Sequence, residues 1–488
     1  MTPKMYLDFG IKLVMEGDLE NAITAFCTAI TLNPKYSPAY NNLGLVLQKT
    51  DRPHEAEACF CRAIELSPDD SCAYNNLGLV LMELDHFQKA EACFRKAIEL
   101  NPNHPALYNH LGTVLEENDH LVEAEAAYCQ AIELNSNYPE AYYNLGIFLK
   151  VTKRFEEAES RFQQALKLRP DYSAAIYSLG NLHLLKGEFD KGWAKYEESR
   201  PKRYGYRTLK IPRWQGEDLT GRSILLCWEY GFGDTIQFIR YVEKVEKLAN
   251  KTSLWIQKPL ERLLTAAHPN LTIYAGESIG DNQYDYVCSL LSLPTIFNTC
   301  NESIPPTVPY RPESRKVSVK WHKNLEKIDK NKRYRVGVVW AGHPKHLNNA
   351  KRSIPFDVFC TLFDHSQVSW VSLQVGDRGE DLLGTPYPVI DFSKDLVDFM
   401  ETAGLIETLD LVITVDSAVA HLAGTMGKKT WVLLPFDPDW RWQLNREDSP
   451  WYPTIRLFRQ CKLGDWQEVM ERVKDALQNE VMEGNITY

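Results

Sequence analysis

Apolar and small residues recur every 34 positions through the first two hundred residues. Glycines fall at Gly10, Gly44, Gly78, Gly112, Gly146 and Gly180. Four residues before them stand Tyr6, Tyr40, Tyr74, Tyr108, Tyr142 and Ile176; one before them, Phe9, Leu43, Leu77, Leu111, Leu145 and Leu179. Twelve residues after come Ala22, Ala56, Ala90, Ala124, Ala158 and then Gly192. Sixteen after comes an aromatic: Phe26, Phe60, Phe94, Tyr128, Phe162 and Tyr196. Pro34, Pro68, Pro102 and Pro170 close their units, and Ser136 replaces the proline of the fourth. This spacing predicts two short amphipathic helices per unit. The Gly and Ala positions let the two helices approach closely, and the aromatic fills the space between them. One such unit cannot bury its apolar face alone, so successive units stack into a superhelix. Five units are full. The sixth loses its Ala, its last small residue (Ser199) and its proline, as a terminal unit does where a solenoid meets another domain.

The pattern resembles the tetratricopeptide (TPR) repeat. In such a stack the first helix of each unit forms the inner face. The residue two before each glycine is Asp8, Asn42, Asn76, His110, Asn144 or Ser178, and stacking sets these in a row. Asparagine amides both donate and accept, so a groove with Asn42, Asn76, His110 and Asn144 along it suits an extended peptide backbone of any sequence. The alternative is a groove that is only solvated. A similar asparagine row lines the TPR arm of O-linked N-acetylglucosamine transferases, where it holds protein substrates. His110 and Ser178 interrupt the row here.

After about Arg203 the helical period fades, and 207–222 reads as a polar connector ending at Gly221. Beyond it, short β-branched and aromatic runs predict strands at 224–228, 253–256, 271–274, 284–288, 335–340, 368–373, 389–391, 411–415, 430–434 and 455–458. Helical patterns fall at 234–248, 258–266, 395–408, 417–426 and 465–478. Strands alternating with helices imply parallel sheets built of βαβ units. A charged stretch from Pro312 to Lys332 divides two such sets. With Glu313, Glu326 and an apolar face among its cations, it reads as an exposed helix and linker. Two doubly wound halves resemble the glycosyltransferase B (GT-B) architecture. The expected organisation is therefore a solenoid over 3–206, the connector, one half over 223–311, a linker helix over 312–333, and a ligand-binding half over 334–480 whose last helix crosses back to the first half.

Composition narrows the class. With 44% apolar residues over 488, the chain has enough apolar surface to fold throughout, and its length suggests about three units. A net charge of -10 gives no basic footprint for nucleic acid. The eleven cysteines form no C-x-x-C pair and several sit in apolar helices, so free buried thiols in a reducing compartment are expected rather than zinc ligands. No signal-peptide core follows Met1, and no apolar run reaches the roughly 18 residues that span a bilayer. A cytoplasmic protein is the expectation.

Three loops carry candidate chemistry. Glu229-Tyr230-Gly231-Phe232-Gly233-Asp234-Thr235 follows an apolar strand and opens a helix, where two glycines permit close approach by a ligand. Asp234 there is either a helix cap or a catalytic carboxylate. Asp416-Ser417-Ala418-Val419-Ala420-His421 also follows a strand, and free N–H groups at a helix start suit a diphosphate. His421 lies one turn in, facing the same way as Ser417; it is either a ligand contact or a packed histidine. The third loop, Trp340-Ala341-Gly342-His343-Pro344, leads to Lys351 and Arg352, cations suited to a departing diphosphate or simply solvated.

Together these loops, over about 223–460, resemble the ADP-heptose transferase family. The match lies in Gly233-Asp234, a basic residue three before Pro355, and Asp416 through His421. Bacterial TPR–glycosyltransferase fusions also share Asp439-Trp440-Arg441-Trp442 and the segment from Arg446 to Pro453. The resemblance implies that Asp234 takes the proton of the acceptor hydroxyl. Gly233, Lys351, Arg352, Asp416, Ser417 and His421 would face the nucleotide-sugar donor. Ser417-Ala418 departs from the family's Thr-Gly, and an alanine where the backbone needs φ > 0 would strain the loop. Trp440, Trp442, Trp451 and Tyr452 either stack on a base or sugar ring or pack the loop. Asp437-Pro438-Asp439 looks like a metal-binding D-x-D, but glycosyltransferases of this fold need none, so neither metal nor cofactor is expected. The function implied is an inverting transferase with a protein or glycan acceptor. Two alternatives stand: a TPR scaffold whose α/β domain is inactive, and a Rossmann oxidoreductase, which the missing third glycine of G-x-G-x-x-G disfavours.

Overall fold

The computed structural model describes residues 1–200, 209–276, 279, 283–306, 315–329, 333–346 and 348–484. Lys330, Lys332 and Glu313 of the charged stretch lie outside them. The chain divides into two compact units, Met1–Ser178 and Leu179–Tyr488.

Unit 1 contains five helical hairpins: α1 (Pro3–Glu16) with α2 (Leu19–Leu32), α3 (Ser37–Lys49) with α4 (Pro53–Leu66), α5 (Ser71–Glu83) with α6 (Phe87–Leu100), α7 (Pro105–Glu117) with α8 (Leu121–Leu134), and α9 (Pro139–Val151) with α10 (Phe155–Leu168). The repeat glycines and aromatics explain the hairpin. A Cβ added at Gly10, Gly44, Gly78, Gly112 or Gly146 would stand 2.4–2.7 Å from the ring of Phe26, Phe60, Phe94, Tyr128 or Phe162 respectively. No real Cβ tolerates that distance, so the ring occupies the space the glycine leaves. The turn between paired helices runs through a left-handed residue that also repeats every 34: Gly17, Asp51, Asp85, Asp119 and Lys153, with φ from 58° to 82°. Asp replaces Gly here at modest cost because a short polar side chain tolerates this region.

The polar row is partly occupied. Asn76 Nδ2 donates to Asn41 Oδ1 (3.0 Å), Asn144 Nδ2 donates to Asn109 Oδ1 (3.0 Å), and His110 Nδ1 meets Asn75 Oδ1 at 2.8 Å. Each of these three side chains, two before its glycine, thus reaches the residue three before the glycine of the preceding repeat. Asn42 donates to Pro38 O of its own helix (2.8 Å). At Asn76, His110 and Asn144 the row is therefore an inter-repeat ladder.

Unit 2 opens at Leu179, within α11 (Ser173–Leu185), and includes α12 (Phe189–Ser199). The boundary expected at 206 thus falls earlier, because α12 packs on α/β elements. Trp193 Nε1 donates to Thr299 O (2.9 Å), and the Trp193 ring meets Trp440 edge-on at 5.2 Å. The connector is not merely polar tether: Trp214 N donates to Val287 O and Val287 N donates to Pro212 O, which lays the segment along a sheet edge.

Ten strands follow: β1 (Ser223–Cys227), β2 (Lys251–Ile256), β3 (Thr272–Ala275), β4 (Tyr286–Ser289), β5 (Tyr334–Val339), β6 (Val368–Ser372), β7 (Val389–Asp391), β8 (Leu411–Val415), β9 (Thr430–Leu434) and β10 (Ile455–Arg459). All pairings are parallel, in two sheets ordered β3-β2-β1-β4 and β10-β9-β8-β5-β6-β7. The central strands are buried along nearly their whole length, as sheets covered on both faces require. The strand order reverses between β1 and β4 in one sheet and between β5 and β8 in the other. Crevices for ligands open at the carboxyl ends of strands at such switch points.

The last helix, Trp466–Gly484, packs on β10 and on the helix Phe356–Phe359. Its apolar stripe (Trp466, Val469, Met470, Val473, Leu477, Val481) is buried. One expectation needs correction. The cysteines are free, but of the eleven only Cys227 and Cys288 are buried; Cys27, Cys61 and Cys72 of the solenoid helices are exposed. The charged stretch does form an exposed helix, Arg315–Ile328, anchored by the buried Trp321 and Leu325.

Candidate functional site

The three loops singled out in the sequence leave β1, β5 and β8, strands at the two switch points. The first runs into the helix Phe232–Phe238. Glu229, fully buried, accepts from Arg200 Nη1 (2.7 Å) and Ser289 Oγ (2.8 Å), which pins the loop's start to α12 and β4. Tyr230 then holds φ 63°, a conformation rare for a side chain of its size. Asp234 Oδ2 accepts from Gly231 N at 2.9 Å, closing the turn. Gly231, not Asp234, is therefore the N-cap; Asp234 is the third helical residue and bonds back to the cap's N–H. Its second oxygen, Oδ1, accepts from Arg441 Nη2, so the carboxylate also faces the other sheet's loops.

The helix Phe232–Phe238 lies against Ala418–Thr425, the helix after β8. The contact depends on Gly233: a Cβ there would stand 2.7 Å from His421 Cδ2 and 3.7 Å from Ala418 Cα. This brings the first loop onto the second. Ser417 caps the second helix in extended conformation, with its Oγ 3.0 Å from Thr414 Oγ1 rather than on a helix N–H. Ala418 is helical with negative φ, so the departure from Thr-Gly costs no backbone strain. Burial pushes the Asp416 carboxyl up to about 6; Asp439 adds to this, while Arg352, Arg441 and the Trp442 indole oppose it.

His421 is buried, stacked on Trp442 at 5.5 Å, with Nδ1 2.9 Å from Tyr452 Oη. Burial, then Arg441, drives it down to about 3, so the ring is neutral. It packs the two helices together, as the alternative reading of this residue had it. The aromatic segment packs likewise: Trp440, Trp442, Trp451 and Tyr452 are all buried.

The third loop folds over Gly342. A Cβ at 342 would meet Arg352 Nε at 2.5 Å and Nη2 at 2.7 Å, so the guanidinium lies across the glycine. Gly342 N donates to Ser353 Oγ (3.1 Å), and Trp340 N and Ala341 N share Gln374 Oε1 at 3.2 and 3.0 Å. The half-buried Arg352 has no partner for its Nε among the described residues, whereas Lys351 is exposed. His343 Nδ1 accepts from Lys345 N and His346 Nδ1 from Asn348 N, each at 3.2 Å, which leaves Nε2–H of both rings to donate. Arg352 acts electrostatically on Asp416, His421 and His346, and Arg441 and Asp439 act on the same three. Arg441 thus bonds Asp234 and Asp439 directly, and it acts on Asp416 through charge, as Arg352 does.

In the sequence Arg441 stood out only as part of a shared segment, Asp439 also as the end of a D-x-D, and Gln237 and His346 not at all. Only Asp439-x-Arg441, a carboxylate and a cation two apart amid tryptophans, signalled a buried polar group there. Asp439 Oδ1 is bound by Arg441 Nη1 (2.9 Å) and N (3.0 Å).

These features define two classes of module in one chain, a tetratricopeptide array and a parallel α/β unit. Residues 12–51, 37–70, 71–104, 93–126 and 139–172 match tetratricopeptide repeat models. The N-terminal part is accordingly a TPR solenoid, an architecture that serves as a scaffold for protein or peptide binding. Among curated proteins, FlbA of Caulobacter vibrioides is 26% identical over 295 residues, covering 55% of this chain and 48% of FlbA. That share exceeds unit 1, so the similarity reaches into unit 2. The chain spans about half the length of this relative. Among solved structures, YrrB, a TPR protein with an unusual peptide-binding site, is 25% identical with a TM-score of 0.31, covering 36% of this chain and 89% of YrrB. PilF of Pseudomonas aeruginosa is 18% identical with a TM-score of 0.36, covering 40% of this chain and 88% of PilF. No helix among the described residues is long and apolar enough to cross a membrane.

Proposed function

We propose that this chain is a metal-independent, inverting glycosyltransferase with a GT-B-like catalytic unit, acting in the cytoplasm on a protein or glycan acceptor recruited by its TPR arm. The observation that carries this reading is the convergence of Asp234, Arg352 and Asp416 from loops at the carboxyl ends of β1, β5 and β8. In the proposed step the acceptor hydroxyl oxygen attacks the anomeric carbon and its proton passes to Asp234. The bond from the anomeric carbon to the diphosphate oxygen breaks, and both electrons leave with the nucleoside diphosphate. Arg352 and the N–H groups that open Ala418–Thr425 offset that developing charge. Gly342, by admitting the guanidinium, sets where the charge is met.

The test is release of nucleoside diphosphate from a panel of UDP, GDP and ADP sugars, in the presence of peptides or glycans. Turnover is expected with one donor and lost in Asp234→Asn. Absence of turnover with every donor, together with no donor binding, would overturn the reading in favour of a non-catalytic scaffold.

A further inference from the structure

Arg441 stands on the loop after β9, yet its guanidinium reaches the helix Phe232–Phe238 that follows β1. Nη2 donates to Asp234 Oδ1, Nε to Gln237 Oε1 (2.6 Å), and Nη1 to Asp439 Oδ1 (2.9 Å). The same group lies 4.4 Å from the Trp440 ring centroid and 5.8 Å from that of Phe238. It is 8% exposed. A planar fork held by three acceptors and two rings cannot wander, and a lysine could not reproduce its geometry. Arg441 is thus a rigid cation between one carboxylate from each sheet's loops.

We propose that Arg441 is a positioning residue for the transfer reaction: it aims the Asp234 carboxylate into the crevice and shares itself between Asp234 and Asp439. The proposal rests on reading Asp234 as the proton acceptor. The environment explains why such a cation is needed. Burial pushes the Asp234 carboxyl up, and Asp439 and Glu229 push the same way; Arg441 and the Gly231 N–H oppose them. His421, packed against Gly233, is neutral and adds no charge. Without Arg441, Asp234 would hold its proton to higher pH and could not receive another. Asp439 competes for the same guanidinium, so its removal should act in the opposite sense.

The test is an NMR titration of the full chain carrying carbon-13-labelled aspartate, with the Asp234 signal assigned by its loss in Asp234→Asn. In Arg441→Met the Asp234 midpoint is expected to rise by about one pH unit or more, the size of effect an adjacent arginine exerts on an aspartate. Arg441→Lys should restore part of the shift. Asp439→Asn, which keeps the cation, should lower the midpoint and keeps the proposal testable if Arg441→Met does not fold. A midpoint unmoved in Arg441→Met, or unmoved or raised in Asp439→Asn, would overturn it. Where the wild type turns over, the acid limb of kcat should follow the same shifts with donor KM unchanged. Failure of turnover with every donor would count against the transferase reading, whereas the titration judges Arg441 alone.

Discussion

Replacing Gly233 by alanine tests whether the first two loops meet as described. The new Cβ would lie 2.7 Å from His421 Cδ2, about a full ångström inside ordinary contact. His421 cannot swing aside, because its ring is stacked on Trp442 and bonded to Tyr452. The helix Phe232–Phe238 must then shift against Ala418–Thr425, and overpacking of this kind costs about 1–3 kcal/mol. Alanine's better helix propensity returns at most about 1 kcal/mol. A net loss of about 1–2 kcal/mol is expected in unit 2. All twelve tryptophans lie between Trp193 and Trp466, so denaturation followed by tryptophan fluorescence reports this unit alone. The decisive comparison is made in a His421→Ala background, where the obstructing ring is gone and Gly233→Ala should cost nothing or stabilise slightly. An equal cost in both backgrounds would refute the packing of these helices through residue 233.

Two further outcomes follow from the same geometry. Gly112→Ala places a Cβ 2.7 Å from the Tyr128 ring, so unit 1 should lose about 1–3 kcal/mol, seen in far-ultraviolet circular dichroism but not in tryptophan fluorescence; coincident loss in both signals would contradict the division into two units. Asp416 has its carboxyl raised from 3.8 to about 6, so its contribution to stability is complete below 3.8 and is lost as pH rises through 6. Asp416→Asn should therefore gain stability relative to wild type over that interval, and a flat difference between the two proteins across it would show that Asp416 is not buried among these charges.

Much of this fold was readable because its signals are local. The glycine-to-aromatic spacing of sixteen residues is one hairpin's own packing, and all ten strands fall within a few residues of their expected places. What escaped is non-local. Parallel pairing leaves no mark on a strand such as β8 to say that it lies beside β5, and nothing in the final helix says which sheet its apolar stripe covers. The asparagine row was visible as a periodicity, but its pairing with Asn41, Asn75 and Asn109 of the preceding repeat was not, since the partners sit 35 residues away. Asp234 and Asp416 stood out because each lies on a loop that leaves a strand, and Arg352 because a cation stands three before Pro355. Arg441 was not singled out, because its partners lie more than two hundred residues earlier at Asp234 and Gln237. His421 and the tryptophans around it show the limit of pattern reading: the residues were noticed, and burial decides that they pack.

The central claim, that a negatively charged leaving group is held at the carboxyl ends of β1, β5 and β8, is tested most directly by calorimetric titration of the full chain with UDP, GDP and ADP sugars. One donor should bind to the wild type, bind about as well to Asp234→Asn, and bind at least about tenfold more weakly to Arg352→Ala, the loss expected when a charge-assisted contact worth roughly 1.5–3 kcal/mol is removed. Binding unchanged in Arg352→Ala, or absent from the wild type with every donor, would contradict it.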